Sequence, residues 1–362
     1  MTHPEIARLR LLNQRISGEK CPDPAAVVRW MGALQAQDYG QAVWAVGLRT
    51  LRPALAAVEQ ALADGQLVLT WPMRGTMHLV PAEDAAWMVR LLAPRVLRGL
   101  TARLRQLELD QTTIERSKTV FYEALCGGRR LTRAGMMQAL EQAGISTQGQ
   151  RGYHLLGHTA QLGHICFGPQ LERQQTFVLL DEWVPNARKL DREEALAELT
   201  RRYFRSHGPA TVHDFANWAG LTLADARQGL EAVQPGLVSA KVEEQLYWFS
   251  AEEMPVVAPT NAVQLLPGFD EYLLGYKDRR AVLAQEHAAK VVPGGNGVFK
   301  PMVVVDGQIV GTWQRAVKKG VVDVVASFFD KALEADAVAC ASRQYADFLG
   351  LPLGGFRVES KC

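Results

Sequence analysis

Apolar residues recur at helical spacing along RAGMMQALEQAG, which follows Thr132, and along VHDFANWAG, which follows Thr211; both runs close on Ala-Gly. A threonine before such a run predicts a helix N-cap, because its hydroxyl can accept from an unpaired amide of the first turn. The surroundings match as well. A helical stretch precedes each run (Ile114 to Leu125; Glu193 to Ser206) and another follows each (Gln150 to Gln161; Leu223 to Val233). The pattern then turns to short apolar runs: HICFGP and QTFVLL flank the polar QLERQ, and GLVSAKV and QLYWFS flank Glu243-Glu244, which predicts a hairpin closing each unit. Three helices followed by a two-stranded ribbon is the winged-helix order.

The start of the chain fits the same template less cleanly. Helices are expected at Glu5 to Ile16, Pro24 to Leu34 and Pro53 to Ala63, with Asp23-Pro24 supplying a cap and a first helical position. A hairpin pairs LVLTW with TMHLV around the turn Pro72-Met73-Arg74-Gly75. Ala85 to Leu109, rich in Leu and Arg, reads as a helical connector. Beyond Pro255 the pattern changes to short β-runs, AVQLLP, FKPMVVV, GQIVGTW and VVDVVASFF, with Asp306-Gly307 as a turn and a closing helix from about Lys331 to Leu349. The expected fold class is α+β. Three tandem winged helices occupy 1–84, 110–188 and 189–254, the connector spans 85–109, and a small C-terminal β-barrel or sheet with a terminal helix fills 255–362.

With 362 residues, 48% of them hydrophobic, the chain is too long for one small core and is expected to be ordered. No stretch approaches the ~18 consecutive apolar residues of a membrane span, and MTHPEIARLR lacks the apolar heart of a secretory signal, so a cytoplasmic, nucleoid-associated protein is expected. Cys21, Cys126, Cys166, Cys340 and Cys362 are odd in number, scattered and in no CxxC pair, which reads as reduced thiols. The net charge of +2 does not by itself announce a polyanionic partner, so basic residues matter only where they cluster.

In LQAQDYG, Gln35 and Gln37 are separated by one residue. On a helix such a pair points about 200° apart; on an extended segment both share one face. They can converge only if the helix from Pro24 has ended by Gln35. Taken alone, two glutamines near a helix end read as solvated surface. Their context changes that reading. LQAQDY and Trp44, then RGTMHLVP (Arg74 to Pro81), LLPGFDEYLLGYKDR (Leu265 to Arg279) and VDGQIVGTW (Val305 to Trp313), together resemble the bacterial winged-helix alkylpurine DNA glycosylases of the AlkZ and YcaQ type, over nearly the whole chain. Four blocks in one order are far more specific than a lone Gln-x-Gln. The resemblance implies a tandem winged-helix scaffold with a C-terminal β-barrel. It also implies excision of N7- or N3-alkylated purines from double-stranded DNA, in some members from interstrand crosslinks. It places the catalytic pair on Gln35 and Gln37.

Amides suit that chemistry. An alkylated purine is already cationic and leaves as a neutral base, so no acid is needed; what remains is to place a water and to offer negative dipoles to an oxocarbenium-like state. Gln37 is assigned to the water and Gln35 to orienting it or the sugar, roles that the sequence leaves interchangeable. Asp38, the rival base, would face away from both on an extended chain and reads as a cap. Candidate DNA contacts are Arg74 at a wing tip, His78 on its strand (or simply packed), Arg151 on the expected recognition helix of the second unit, Lys277, Arg279 and Arg280, and Lys318 with Lys319. The clusters Arg129-Arg130-Arg133 and Arg201-Arg202-Arg205 read equally as solvated faces. His154, His158 and His164 lack a well-spaced further ligand except Cys166, and HExxH is absent, so no metal is expected. There is no Walker A motif, and Gly294-Gly295-Asn296-Gly297 reads as a loop; no cofactor is expected. The alternative is a non-catalytic winged-helix regulator. The tandem units suit a monomer that needs no protein partner.

Overall fold

The computed structural model describes residues 1–172, 174–251, 262–295, 297–330 and 335–360. The expected boundary at 254–255, the helix start at Lys331, Arg173 of the QLERQ turn, Asn296 of the glycine loop and Cys362 lie outside the described residues.

The chain opens with α1 (His3–Asn13), α2 (Pro24–Met31), β1 (Leu34–Gln35), α3 (Tyr39–Arg49), α4 (Leu55–Ala63), β2 (Leu67–Met73), β3 (Thr76–Pro81) and α5 (Ala85–Gln106). There follow α6 (Gln111–Leu125), β4 (Leu131–Thr132), α7 (Arg133–Gln142), α8 (Arg151–Gln161), β5 (Ile165–Leu171), β6 (Gln174–Leu179) and α9 (Leu180–Trp183). Next come α10 (Arg192–Ser206), α11 (Val212–Ala219), α12 (Leu223–Val233), β7 (Leu237–Val242) and β8 (Gln245–Ser250). The last stretch holds β9 (Val263–Leu266), α13 (Glu271–Leu274), α14 (Ala288–Val291), β10 (Met302–Val305), β11 (Gln308–Lys318), β12 (Val321–Phe328), α15 (Ala335–Leu349) and β13 (Leu353–Ser360). Both expected threonine caps form: Thr132 Oγ1 accepts from Gly135 N at 3.3 Å, and Thr211 Oγ1 from Asp214 N at 3.1 Å.

These elements make two compact bodies. One comprises Glu59–Leu196 with Ala219–Leu221. Its strands β3, β2, β5, β6 and β4 lie side by side in that order. Phe121, Leu125, Leu140 and Leu155 are fully buried in its core. Arg74 and Gly75 both adopt positive φ and turn β2 into β3, the geometry of a tight hairpin turn.

The other body comprises Met1–Val58, Ala197–Trp218 and the chain from Thr222 onward. Its C-terminal sheet runs β13-β12-β11-β10-β9. This corrects the expected barrel: among the described residues the sheet is open, with β13 and β9 as its edges. The terminal helix is corrected too. α15 is followed by β13, which pairs parallel to β12, so the helix is the crossover that any parallel pair needs. β13 escapes a sequence reading because it begins Leu-Gly-Gly; a Cβ on Gly354 would stand 2.5 Å from Val321 Cγ1, and only glycine permits that approach.

α3 is a further element that the apolar pattern hides. Ala42 to Arg49 are all buried, so the helix has no polar face to mark its period. Its Gly47 lies against α15, where a Cβ would fall 2.4 Å from Phe348 Cε2. Trp44 stacks edge-on to Tyr345 with centroids 5.1 Å apart, and on Phe348 at 5.0 Å.

Candidate active site

The segment between α2 and α3 is extended because both flanking helices are closed by their own sequence. Gly32, at φ 80°, ends α2 with its amide donating to Val28 O at 2.9 Å. Asp38 starts α3, its carboxylate accepting from Gln41 N at 3.2 Å, which is the capping role that the sequence assigns it. Ala36 points into the core, 2% exposed, and the two glutamines share the opposite face. Gln35 Nε2 donates to Gln37 Oε1 at 2.9 Å. Gln35 is only 9% exposed, whereas Gln37 is open to solvent. The pair is therefore one inner amide holding one outer amide.

Blocks of sequence more than two hundred positions away hold this segment in place. Trp44 Nε1 donates to Leu265 O at 2.7 Å, Gly268 N to Gln41 Oε1 at 2.8 Å, and Gln35 N to Glu271 Oε1 at 3.0 Å. From the fourth block, Trp313 Nε1 donates to Leu266 O at 2.7 Å. Three of the four blocks quoted above thus meet in one body, around the two glutamines.

Beneath the motif lies a buried charged layer. Arg49 grips Asp270 through two bonds of 2.8 and 2.9 Å, with neither side chain exposed, and also reaches Gln14. Glu271, equally buried, accepts from Trp218 Nε1 at 2.8 Å through its other oxygen. His207 Nε2 is 3.8 Å from that oxygen, but burial lowers the pKa of His207 more than the carboxylate raises it. Beside the motif, Arg315 of β11 packs on Gly40, where a Cβ would lie 2.7 Å from Arg315 Nη2. Its guanidinium sits 5.5 Å from the Tyr345 ring, whose hydroxyl burial pushes up to about 12. Sequence reasoning missed Glu271 and Arg315. Glu271 was hidden as one acidic residue within a motif; the signal for Arg315 was its place two residues after Trp313 on a strand, hence on the same face.

The basic residues singled out in the sequence fall into two groups. Some are engaged. His78 is fully buried, its Nδ1 2.9 Å from Thr76 O and its Nε2 3.2 Å from Arg74 Nη2. Its ring has no surface for DNA. Arg151 is turned to the carbonyls of Leu107, Glu108 (3.1 Å) and Ser146 (3.1 Å). Arg279 stacks over Phe299 at 4.9 Å, and burial lowers its pKa. Arg280 is exposed but paired with Asp278 at 2.7 Å and Glu243 at 3.3 Å. Arg201 and Arg202 share Glu198 at 2.6 and 2.8 Å. The second group is outward. Lys277 is exposed, with its amide fixed by Asp214 at 2.8 Å, and Lys318 and Lys319 form the exposed tip of the long β11–β12 hairpin. His154, His158 and His164 all have lowered pKa values, burial being the first cause. Among the described residues, no three His, Cys, Asp or Glu side chains gather as a metal site would need, and no helix is long and apolar enough to cross a membrane.

A family model described as DNA glycosylase AlkZ-like matches residues 28–348. An interstrand DNA cross-link repair glycosylase from Streptomyces sahachiroi is 29% identical over 337 residues, which is 86% of this chain and 87% of that protein. Among solved structures, the Streptomyces sahachiroi DNA glycosylase AlkZ matches with a TM-score of 0.85 at 26% identity, covering 99% of each chain.

Proposed function

The chain belongs to the AlkZ-like DNA glycosylase family, and on that premise we propose that it hydrolyses the N-glycosidic bond of N7- and N3-alkylated purines in duplex DNA, interstrand crosslinks included. It is a DNA glycosylase of alkylation repair, and family membership selects the enzyme over the non-catalytic regulator. The observation that carries the site is the 2.9 Å contact between the Gln35 and Gln37 amides on an extended segment.

In this reading Gln37 holds the nucleophile. Its Oε1 accepts from Gln35 on one side, which leaves a second lone pair to accept from a water. The water oxygen bonds to the anomeric carbon as the bond to N9 breaks. The electron pair of that bond neutralises the cationic purine, which leaves as free base, and the proton released from the water passes to solvent. Carbonyl dipoles aimed at the anomeric carbon stabilise the charge that develops there. Gln35 orients Gln37. The winged-helix count is part of the proposal: α6 to α8 with β5–β6, and α10 to α12 with β7–β8, repeat the order of three helices and a ribbon, and α1, α2 and α4 with β2–β3 give it with α3 interposed. One chain acts as a monomer at the nucleoid, with Arg74, Lys277, Lys318 and Lys319 contacting phosphate.

Purified protein incubated with duplex carrying N7-methylguanine is expected to release that base and leave abasic sites, and to open a crosslinked duplex in a separate assay. Base retained under single-turnover conditions overturns the reading. Replacing both hairpin lysines by Lys318→Gln and Lys319→Asn, the latter chosen because Lys319 has φ 50°, keeps the turn and removes two charges. The slope of log affinity against log salt should fall by about 1 to 2, as expected for one or two lost phosphate contacts. An unchanged slope places the DNA elsewhere.

A further inference from the structure

Both groups of the amide pair are neutral, and their geometry must be held closely for a water to be placed. We infer that Glu271 is a positioning residue of this reaction, acting through the backbone of Gln35. The inference rests on the glycosylase reading above and deepens it.

A fully buried carboxylate is a poor choice for core packing, since ionised groups persist there only where several N–H groups face them. Glu271 meets that condition in a directed way. One oxygen accepts from Gln35 N at 3.0 Å and the other from Trp218 Nε1 at 2.8 Å. The indole fixes where the carboxylate stands, and the carboxylate fixes the Gln35 amide nitrogen. Because Ala36 is buried on the opposite face, the direction of the Gln35 side chain toward Gln37 is then set from both sides. A bond to an ionised acceptor is stronger than an ordinary backbone bond, which suits a site that must not drift. The neighbouring Asp270 is gripped by Arg49 at the last turn of α3, while Glu271 holds the strand residue that precedes α3. One acidic dipeptide therefore pins the segment that carries both glutamines at its two ends.

The test is a double-mutant cycle between Glu271→Gln and Gln35→Ala. In the native background Glu271→Gln should slow single-turnover release of N7-methylguanine at least tenfold, while affinity for the same duplex stays within twofold. In the Gln35→Ala background the same substitution should change the rate less than twofold, because the residue it positions is gone. Glu271→Asp, which keeps the charge but withdraws it from Gln35 N, should also slow release and serves if the glutamine variant does not fold. Amide hydrogen exchange gives a readout independent of activity: exchange at Gln35 should quicken at least tenfold in either variant, with amides of the β11–β12 hairpin unchanged. Equal rate losses in both backgrounds, a loss that follows DNA affinity, or an unaltered Gln35 amide would each overturn the inference. Release by the unsubstituted enzyme decides the parent reading; the ratio of variant to native decides this one.

Discussion

Gln37→Ala is expected to lower the single-turnover rate of N7-methylguanine release by about 10²- to 10³-fold, the loss seen when one preorganised polar group is removed from a charge-stabilising site. Binding should change little, since an exposed neutral amide contributes no phosphate charge. Stability should also hold to within about 0.5 kcal/mol, as for most exposed positions. A drop in rate without a drop in affinity or unfolding midpoint therefore locates the effect in the chemical step. Asp38→Asn is the informative companion. Asparagine caps a helix as well as aspartate does, so α3 stays in place while the only carboxylate adjoining Gln37 in sequence is removed. The rate should stay within about threefold of native. If it collapses while Gln37→Ala is mild, the base is Asp38 and the amides are bystanders.

That contest was already visible in the sequence, because it turns on local rules. Asp23-Pro24 and Asp38 are helix punctuation that the sequence shows, whereas the stop at Gly32, which ends α2 at Met31 rather than at the expected Leu34, is what leaves residues 35 to 37 extended. The threonine caps at 132 and 211 and the hairpin turn at Arg74-Gly75 were legible for the same reason. What stayed hidden depends on contacts across the chain. α3 is buried all round and shows no period, and β13 carries glycines whose purpose appears only once Val321 is seen beside Gly354. The site follows the same division. Gln35 and Gln37 can be found from a motif, but no local rule says that a carboxylate at position 271 will stand 3.0 Å from an amide at position 35. The charge runs also depend on the fold. Arg151, Arg279 and Arg280 look available in sequence and are committed to carbonyls, a ring and carboxylates in the fold.

Arg49→Ala should be the most destabilising single change in the body that carries the glutamines, about 3 to 5 kcal/mol, because it strips the partner from a carboxylate that cannot reach water. The unfolding midpoint in urea is the measure. Asp270 cannot be released to solvent by a small shift, since it also accepts from Tyr272 N at 2.8 Å and starts α13. Arg49→Lys should recover only part of the loss, as an ammonium cannot make the two parallel bonds to Asp270 while also reaching Gln14. Pairing Arg49→Met with Asp270→Asn removes both charges, keeps the helix cap, and should restore more stability than either single change retains. Activity should not follow stability in that double variant. With the grip of α3 on the 270–271 dipeptide gone, Glu271 loses the neighbour that aims it, and base release should stay below native at temperatures where the protein is fully folded. If instead Arg49→Ala costs less than about 1 kcal/mol, the pair behaves as a solvated surface bridge, and the rigid layer beneath the two glutamines must be built from its apolar contacts alone.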